Sequence, residues 1–70
     1  MIELNDGQLD RAMVIVHAMI NMAEEYPRYD MAVDGMLLLV GSLAMPDESD
    51  PVVMIQAGQD ILLAHSEAVQ

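Results

Sequence analysis

Hydrophobic residues recur at three- and four-residue spacing along most of the chain, which is the pattern of amphipathic α-helices. The first helix is predicted over residues 6–25, capped by Asn5 or Asp6, and ends before Pro27, because proline disfavours helical geometry in the preceding residue. Its apolar side covers about half of the circumference. The opposite, polar side is predicted to carry Asp10, His17, Asn21 and Glu24.

The second helix is predicted over residues 28–45 and is apolar on almost every side. Its segment 31–45, "MAVDGMLLLVGSLAM", contains a single charged residue. A helix that is hydrophobic all round is usually buried all round. Gly35 and Gly41 each cost about 1 kcal/mol relative to alanine inside a helix, so they predict places where another backbone comes close.

The segment "PDESDPVV" separates the second helix from a third helix, which is predicted over residues 51–68. Pro46 ends the second helix, Ser49 or Asp50 caps the third, and Pro51 suits its first position. No period-two alternation is long enough for a strand. The sequence therefore predicts a single all-α domain over residues 1–70, arranged as a three-helix antiparallel array.

Composition indicates that this domain does not satisfy its own apolar surface. The chain has 70 residues, of which 54% are hydrophobic, with eight methionines and no cysteine. A domain of this size buries only about 60% of its unfolded surface, and without disulfides a partner chain is a common source of stability. We therefore expect either self-association, such as a homodimer when the chain is alone, or a groove that holds a partner's helix.

The charge excludes several classes of partner. The formal net charge is −10, with two arginines and no lysine, which repels phosphate backbones and anionic lipid. Direct nucleic-acid binding is not expected. Membrane insertion is not expected either, because the longest uncharged run, residues 35–46, is too short to cross a bilayer. The N-terminal "MIELNDGQLD" lacks the regions of a secretory signal, so we expect a cytoplasmic protein.

Candidate chemistry is sparse. His17 is expected to be a solvated surface residue, and His65 lies in the apolar arc of the third helix, which indicates a hydrogen-bonded structural or interface histidine. The "DESD" run over residues 47–50 lacks the ligand pattern of an EF-hand and is expected to be an acidic capping turn. We predict no catalytic residue, no cofactor, no metal site and no enzymatic activity; an enzyme would need one of the two histidines for turnover.

The segments "VIVHAMI" (residues 14–20) and "DMAVDGMLLLVGSLAMP" (residues 30–46), with small residues in the third helix, resemble a known family. It is the small TPR-like subunit of the chaperone pairs that guard type III secretion needle proteins. The resemblance implies a TPR-like helical hairpin plus one helix, in which Val40 and Gly41 face Ala57 and Ala64. The chain departs from the tetratricopeptide repeat in its longer "PDES" turn and in lacking the aromatic positions.

The resemblance implies a cytoplasmic chaperone that holds an amphipathic helix of a needle subunit in an apolar groove and prevents premature polymerisation. A second small helical chaperone would complete the assembly. The predicted partner-binding residues are Met36, Leu39, Val40, Leu43, Met54, Ile61 and His65.

An alternative hypothesis is a small acidic phage-type inhibitor that blocks a nucleic-acid-binding protein. Its activity would depend on Asp10, Glu24, Glu25, Asp30 and Asp34 and would weaken steeply with salt, whereas binding in an apolar groove would not.

Overall fold

The computed structural model describes residues 4–68, and in this part of the chain it consists of three α-helices without a strand. The helices are α1 (Asp6–Glu25), α2 (Tyr29–Ala44) and α3 (Pro51–Ala68). The predicted all-α, three-helix fold is confirmed, and the predicted helix ends differ from the observed ends by at most one residue. The ends of the predicted domain, residues 1–3 and 69–70, lie outside the described residues.

Local capping explains where α1 begins. The Asn5 side chain accepts a hydrogen bond from the Gln8 backbone N–H (2.8 Å), and the Gln8 side chain accepts one from the Asn5 backbone N–H (2.9 Å). This reciprocal capping box satisfies two of the donors that a helix start leaves without a partner. The residue that caps the helix is therefore Asn5 and not Asp6.

Replacing Asn5 with alanine is expected to lower the free energy of unfolding by about 1 kcal/mol, because the N–H of Gln8 loses its acceptor. Urea unfolding followed by helical circular dichroism measures this change. The matched control is Asn21→Ala, which makes the same substitution at an exposed position well inside the same helix. An equal loss of stability in both variants would contradict the capping role.

The turn between α2 and α3 is held by its own carboxylates. Glu48 accepts hydrogen bonds from the N–H groups of Ser49 (3.2 Å) and Asp50 (3.1 Å), and Asp50 accepts one from the N–H of Val52 (2.9 Å). The acidic run thus serves as the capping turn that the sequence predicted.

Helices α2 and α3 form the closest pair and run antiparallel. Gly41 of α2 lies against the backbone of Met54, and Gly58 of α3 lies against the backbone of Leu37. A Cβ at Gly41 would lie 2.6 Å from the carbonyl carbon of Met54, and one at Gly58 would lie 2.8 Å from that of Leu37. Two reciprocal glycines therefore set the separation of the two helix backbones.

The predicted close approach is confirmed at Gly41 and wrong at Gly35. A Cβ at Gly35 would meet nothing within 4 Å. The small residue of α3 that meets α2 is Gly58, whereas Ala64 is exposed. Helix α2 is also not buried all round, since Met31 is 80% exposed and Leu39 is 50% exposed.

The core is small and the molecule is flat. Its extents are 37 × 31 × 15 Å, and no large side chain in the described part is fully buried. Helix α1 packs mainly on α2 and touches α3 less. The buried hydrophobic residues come from all three helices: Ala12, Val16, Leu37, Val40 and Leu62.

Candidate functional site

Two apolar grooves flank α1, and they use different residues of that helix. We call the first the α1–α2 groove and the second the central groove. The α1–α2 groove has a volume of about 210 Å³ and is lined by Leu4, Gln8, Arg11, Ala12, Ile15, Met36, Leu39, Val40 and Leu43. The central groove has a volume of about 280 Å³ and is lined by Met13, Val16, His17, Ile20, Val33, Leu37, Gln59, Leu62, Leu63 and Ser66.

The α1–α2 groove brings together four of the seven predicted partner-binding residues. All four lie on one face of α2, and they are Met36, Leu39, Val40 and Leu43. Val40 is buried at the base of the groove, whereas Leu39 is half-exposed. Across the groove, α1 contributes Ile15, which is 38% exposed. The groove therefore offers apolar side chains that the chain itself does not cover.

The other three predicted residues, all on α3, do not line this groove. The backbone of Met54 packs on Gly41, and Ile61 is half-buried against the core. His65 is buried, with 8% of its surface exposed. The structure thus places these residues in contacts between the helices of the chain itself.

His65 joins the C-terminal part of α3 to the first turns of α1. Its Nε2 atom lies 2.6 Å from Oδ1 of Asp10, and its Nδ1 atom lies 3.9 Å from Oδ1 of Asp6. An ionised carboxylate only accepts hydrogen bonds, so Nε2 donates to Asp10. The prediction of a hydrogen-bonded histidine is confirmed, and Asp10 is exposed as predicted, with 64% of its side chain open to solvent beside this contact.

The central groove was not predicted, although all three helices build it. Ile20 and Leu63 are each about half-exposed at its sides, at 45% and 54%, and Leu37 and Leu62 are buried at its base. The sequence signal available for it was the row of Met13, Val16 and Ile20, which lies on the apolar side of α1. Which other helices approach that row depends on the three-dimensional packing.

The central groove continues into an acidic end. A neighbouring concave surface shares Ile20 and Val33 with it and adds the carboxylates of Glu24, Asp30 and Asp34. These three acidic side chains are exposed. The apolar groove and its acidic end therefore form one continuous surface.

Within the described residues, neither arginine neutralises the acidic end. Arg28 lies over the rings of Tyr26 and Tyr29, with its guanidinium carbon 5.0 and 5.5 Å from their centres. Arg11 lines the α1–α2 groove. Among residues 4–68, the carboxylates that meet a basic side chain within 4.0 Å are Asp6 and Asp10, both at His65.

Within residues 4–68 there is neither a hydrogen-bonded partner for His17 nor a cluster of side chains that could hold a metal ion. His17 is exposed at the edge of the central groove, and the hydrogen bonds within residues 4–68 do not link it to a carboxylate or hydroxyl group. Within the same part of the chain, no three acidic or histidine side chains lie close enough together to hold a metal ion.

Comparison of the chain with protein-family models, with curated proteins and with solved structures gives no match. None of the helices in residues 4–68 combines the length and the hydropathy needed to cross a membrane. The two grooves are therefore the candidate functional surfaces of residues 4–68.

Proposed function

We propose that this protein is a non-enzymatic, helix-binding protein that holds an amphipathic helix of a partner in the α1–α2 groove. The observation that carries the proposal is the imbalance between covered and uncovered apolar surface. Five hydrophobic side chains are buried in the described part of the chain, whereas ten large ones are at least 38% exposed. Two of these ten, Ile15 and Leu39, lie on opposite sides of the α1–α2 groove, and a contiguous exposed apolar surface of this kind supports an interaction site.

The shape of the α1–α2 groove suits a helix. Its α2 side presents Met36, Leu39, Val40 and Leu43 along one face, and α1 supplies the opposite side. An amphipathic helix docks through residues at i, i+3, i+4 and i+7, so its apolar row would lie between α1 and α2. Met36 has a flexible thioether that can adapt to the shape of the ligand.

We further propose that the partner is a type III secretion needle subunit and that the protein acts as a cytoplasmic chaperone with a second small helical chaperone. The support for this part is the resemblance of residues 14–20 and 30–46 to the small subunit of such chaperone pairs. An apolar groove suits that role, because a groove that covers the apolar row of a polymerising helix keeps the helix monomeric.

Replacing Leu39 with aspartate is expected to weaken binding of an amphipathic helix by about tenfold or more, since a buried apolar contact is replaced by a desolvated charge. The probe is a labelled 18-residue peptide with leucine on one face and glutamine on the other, and binding is followed by fluorescence anisotropy. Leu39 is half-exposed in the free protein, so the fold is expected to survive, which circular dichroism checks.

Val52→Asp is the matched control, because Val52 is 72% exposed on α3 and lines neither groove. It adds the same charge and should leave the affinity unchanged. Equal binding by the Leu39→Asp variant and the unmodified protein would reject the α1–α2 groove as the helix site.

A second candidate function is the acidic inhibitor of a nucleic-acid-binding protein, favoured by the convergence of Glu24, Asp30 and Asp34 on one surface. Asp10 does not line that surface and lies instead beside His65, near the start of α1. The dependence of affinity on salt concentration distinguishes the two functions. An inhibitor that mimics phosphates loses affinity steeply as the salt concentration rises, whereas the affinity for the leucine and glutamine peptide should change little.

A further inference from the structure

We propose that the central groove is a second docking site, and that its occupant is a basic amphipathic helix whose lysine or arginine residues lie against Glu24, Asp30 and Asp34. This inference goes beyond the proposed function, because it assigns a separate surface and a ligand of different charge. The protein would then hold two helices, one on either side of α1.

The apolar part of the groove sets the length of the contact. Its α1 side extends from Met13 to Ile20, which corresponds to about 11 Å, or two helical turns. Two turns of a partner helix present three or four apolar residues on one face. Leu63 and Ile20, each about half-exposed at the sides of the groove, would be covered by them.

The acidic end of the groove determines which charge is favourable in the next turn of the partner helix. Glu24 follows Ile20 by one turn of α1, about 6 Å further along the helix, and Asp30 and Asp34 face the same concave surface from α2. A partner helix that follows the groove therefore leaves its apolar contacts and meets three carboxylates within its next turn. Basic residues at that point gain charge complementarity, which sets the orientation of the helix in the groove.

A second copy of this chain does not supply that complementarity. Each copy has a formal net charge of −10 and only two arginines. Arg28 lies over two tyrosine rings, and Arg11 belongs to the other groove. Joining two such chains at the acidic end would bring like charges together, which is unfavourable. The observations therefore favour a different, basic protein.

The methionines provide a direct test, because Met13 lines the central groove and Met36 lines the α1–α2 groove. The protein is labelled with ¹³C at the methionine methyl groups and titrated with 18-residue helical peptides that have leucine on one face and either lysine or glutamate on the other. The lysine peptide is expected to shift the Met13 signal and the glutamate peptide is not.

The variant Glu24→Gln, Asp30→Asn, Asp34→Asn is expected to bind the lysine peptide about tenfold more weakly at the Met13 site, because three charge pairs are lost and the apolar contacts are kept. Raising the salt concentration to about 1 M, where the Debye length is about 3 Å, should weaken binding to the unmodified protein in the same way.

The matched control is the variant Asp47→Asn, Asp60→Asn, Glu67→Gln, which removes the same amount of charge from residues that line neither the central groove nor its acidic end. Its affinity should fall much less. An equal loss in both triple variants, or an equal Met13 shift with the glutamate peptide, would overturn the inference. A shift of Met36 alone would overturn it as well, while leaving the proposed function standing.

Discussion

Replacing Gly58 with alanine is expected to lower the free energy of unfolding by about 3 kcal/mol, at the upper end of what overpacking costs. The added Cβ would lie 2.8 Å from the carbonyl carbon of Leu37. The obstacle is backbone and not the end of a flexible side chain, so α2 and α3 must separate. For a chain of this length the loss corresponds to about 15 °C in melting temperature, which a helical circular dichroism melt measures.

Gly35→Ala is the matched control within the neighbouring helix. A Cβ there meets nothing within 4 Å, so the variant should be more stable by about 1 kcal/mol, which is the difference in helix propensity between glycine and alanine. Opposite changes in melting temperature for Gly58→Ala and Gly35→Ala are therefore expected. If both variants were stabilised, the close backbone contact between α2 and α3 would be wrong.

Replacing His65 with alanine is expected to cost about 2 kcal/mol, because a buried side chain and its hydrogen bond to Asp10 are removed together. The loss should be uneven along the chain. His65 joins α3 to the first turns of α1, and these two helices pack against each other less than any other pair of helices in residues 4–68. Hydrogen exchange should therefore become faster in α1 before it does in the α2–α3 pair.

His17→Ala is the control for this experiment, since His17 is exposed on α1 and its removal should change stability by less than about 0.5 kcal/mol. Uniformly faster exchange in all three helices of the His65→Ala variant would show that the histidine stabilises the whole fold and not the docking of α1.

The features that local sequence signals determine could be predicted. The helix ends follow from Asn5, the prolines and Asp50, each of which acts on its immediate neighbours. Met36, Leu39, Val40 and Leu43 share one groove because they share one face of one helix. Capping residues and prolines were sufficient for the first result, and periodicity within a single segment was sufficient for the second.

The features that depend on how helices meet could not be predicted in the same way. Gly35 and Gly41 look alike in the sequence, but residues six apart lie on different sides of a helix, and only the side of Gly41 meets α3. The hydrogen bond between His65 and Asp10 joins residues 55 positions apart. Similarly, the central groove exists only because all three helices approach one another.

The small core makes the stability of the fold depend on what covers it. Within residues 4–68 five hydrophobic side chains are buried and no large side chain is fully buried, whereas most domains enclose a core between two packed layers. A bound helix would cover part of the exposed apolar surface, so binding would complete the fold as well as occupy a site. At a ligand concentration about 100 times its Kd, this adds about 2.7 kcal/mol to the free energy of unfolding, a large share of the few kcal/mol typical of so short a chain. The amount of folded protein would then follow the amount of its partner.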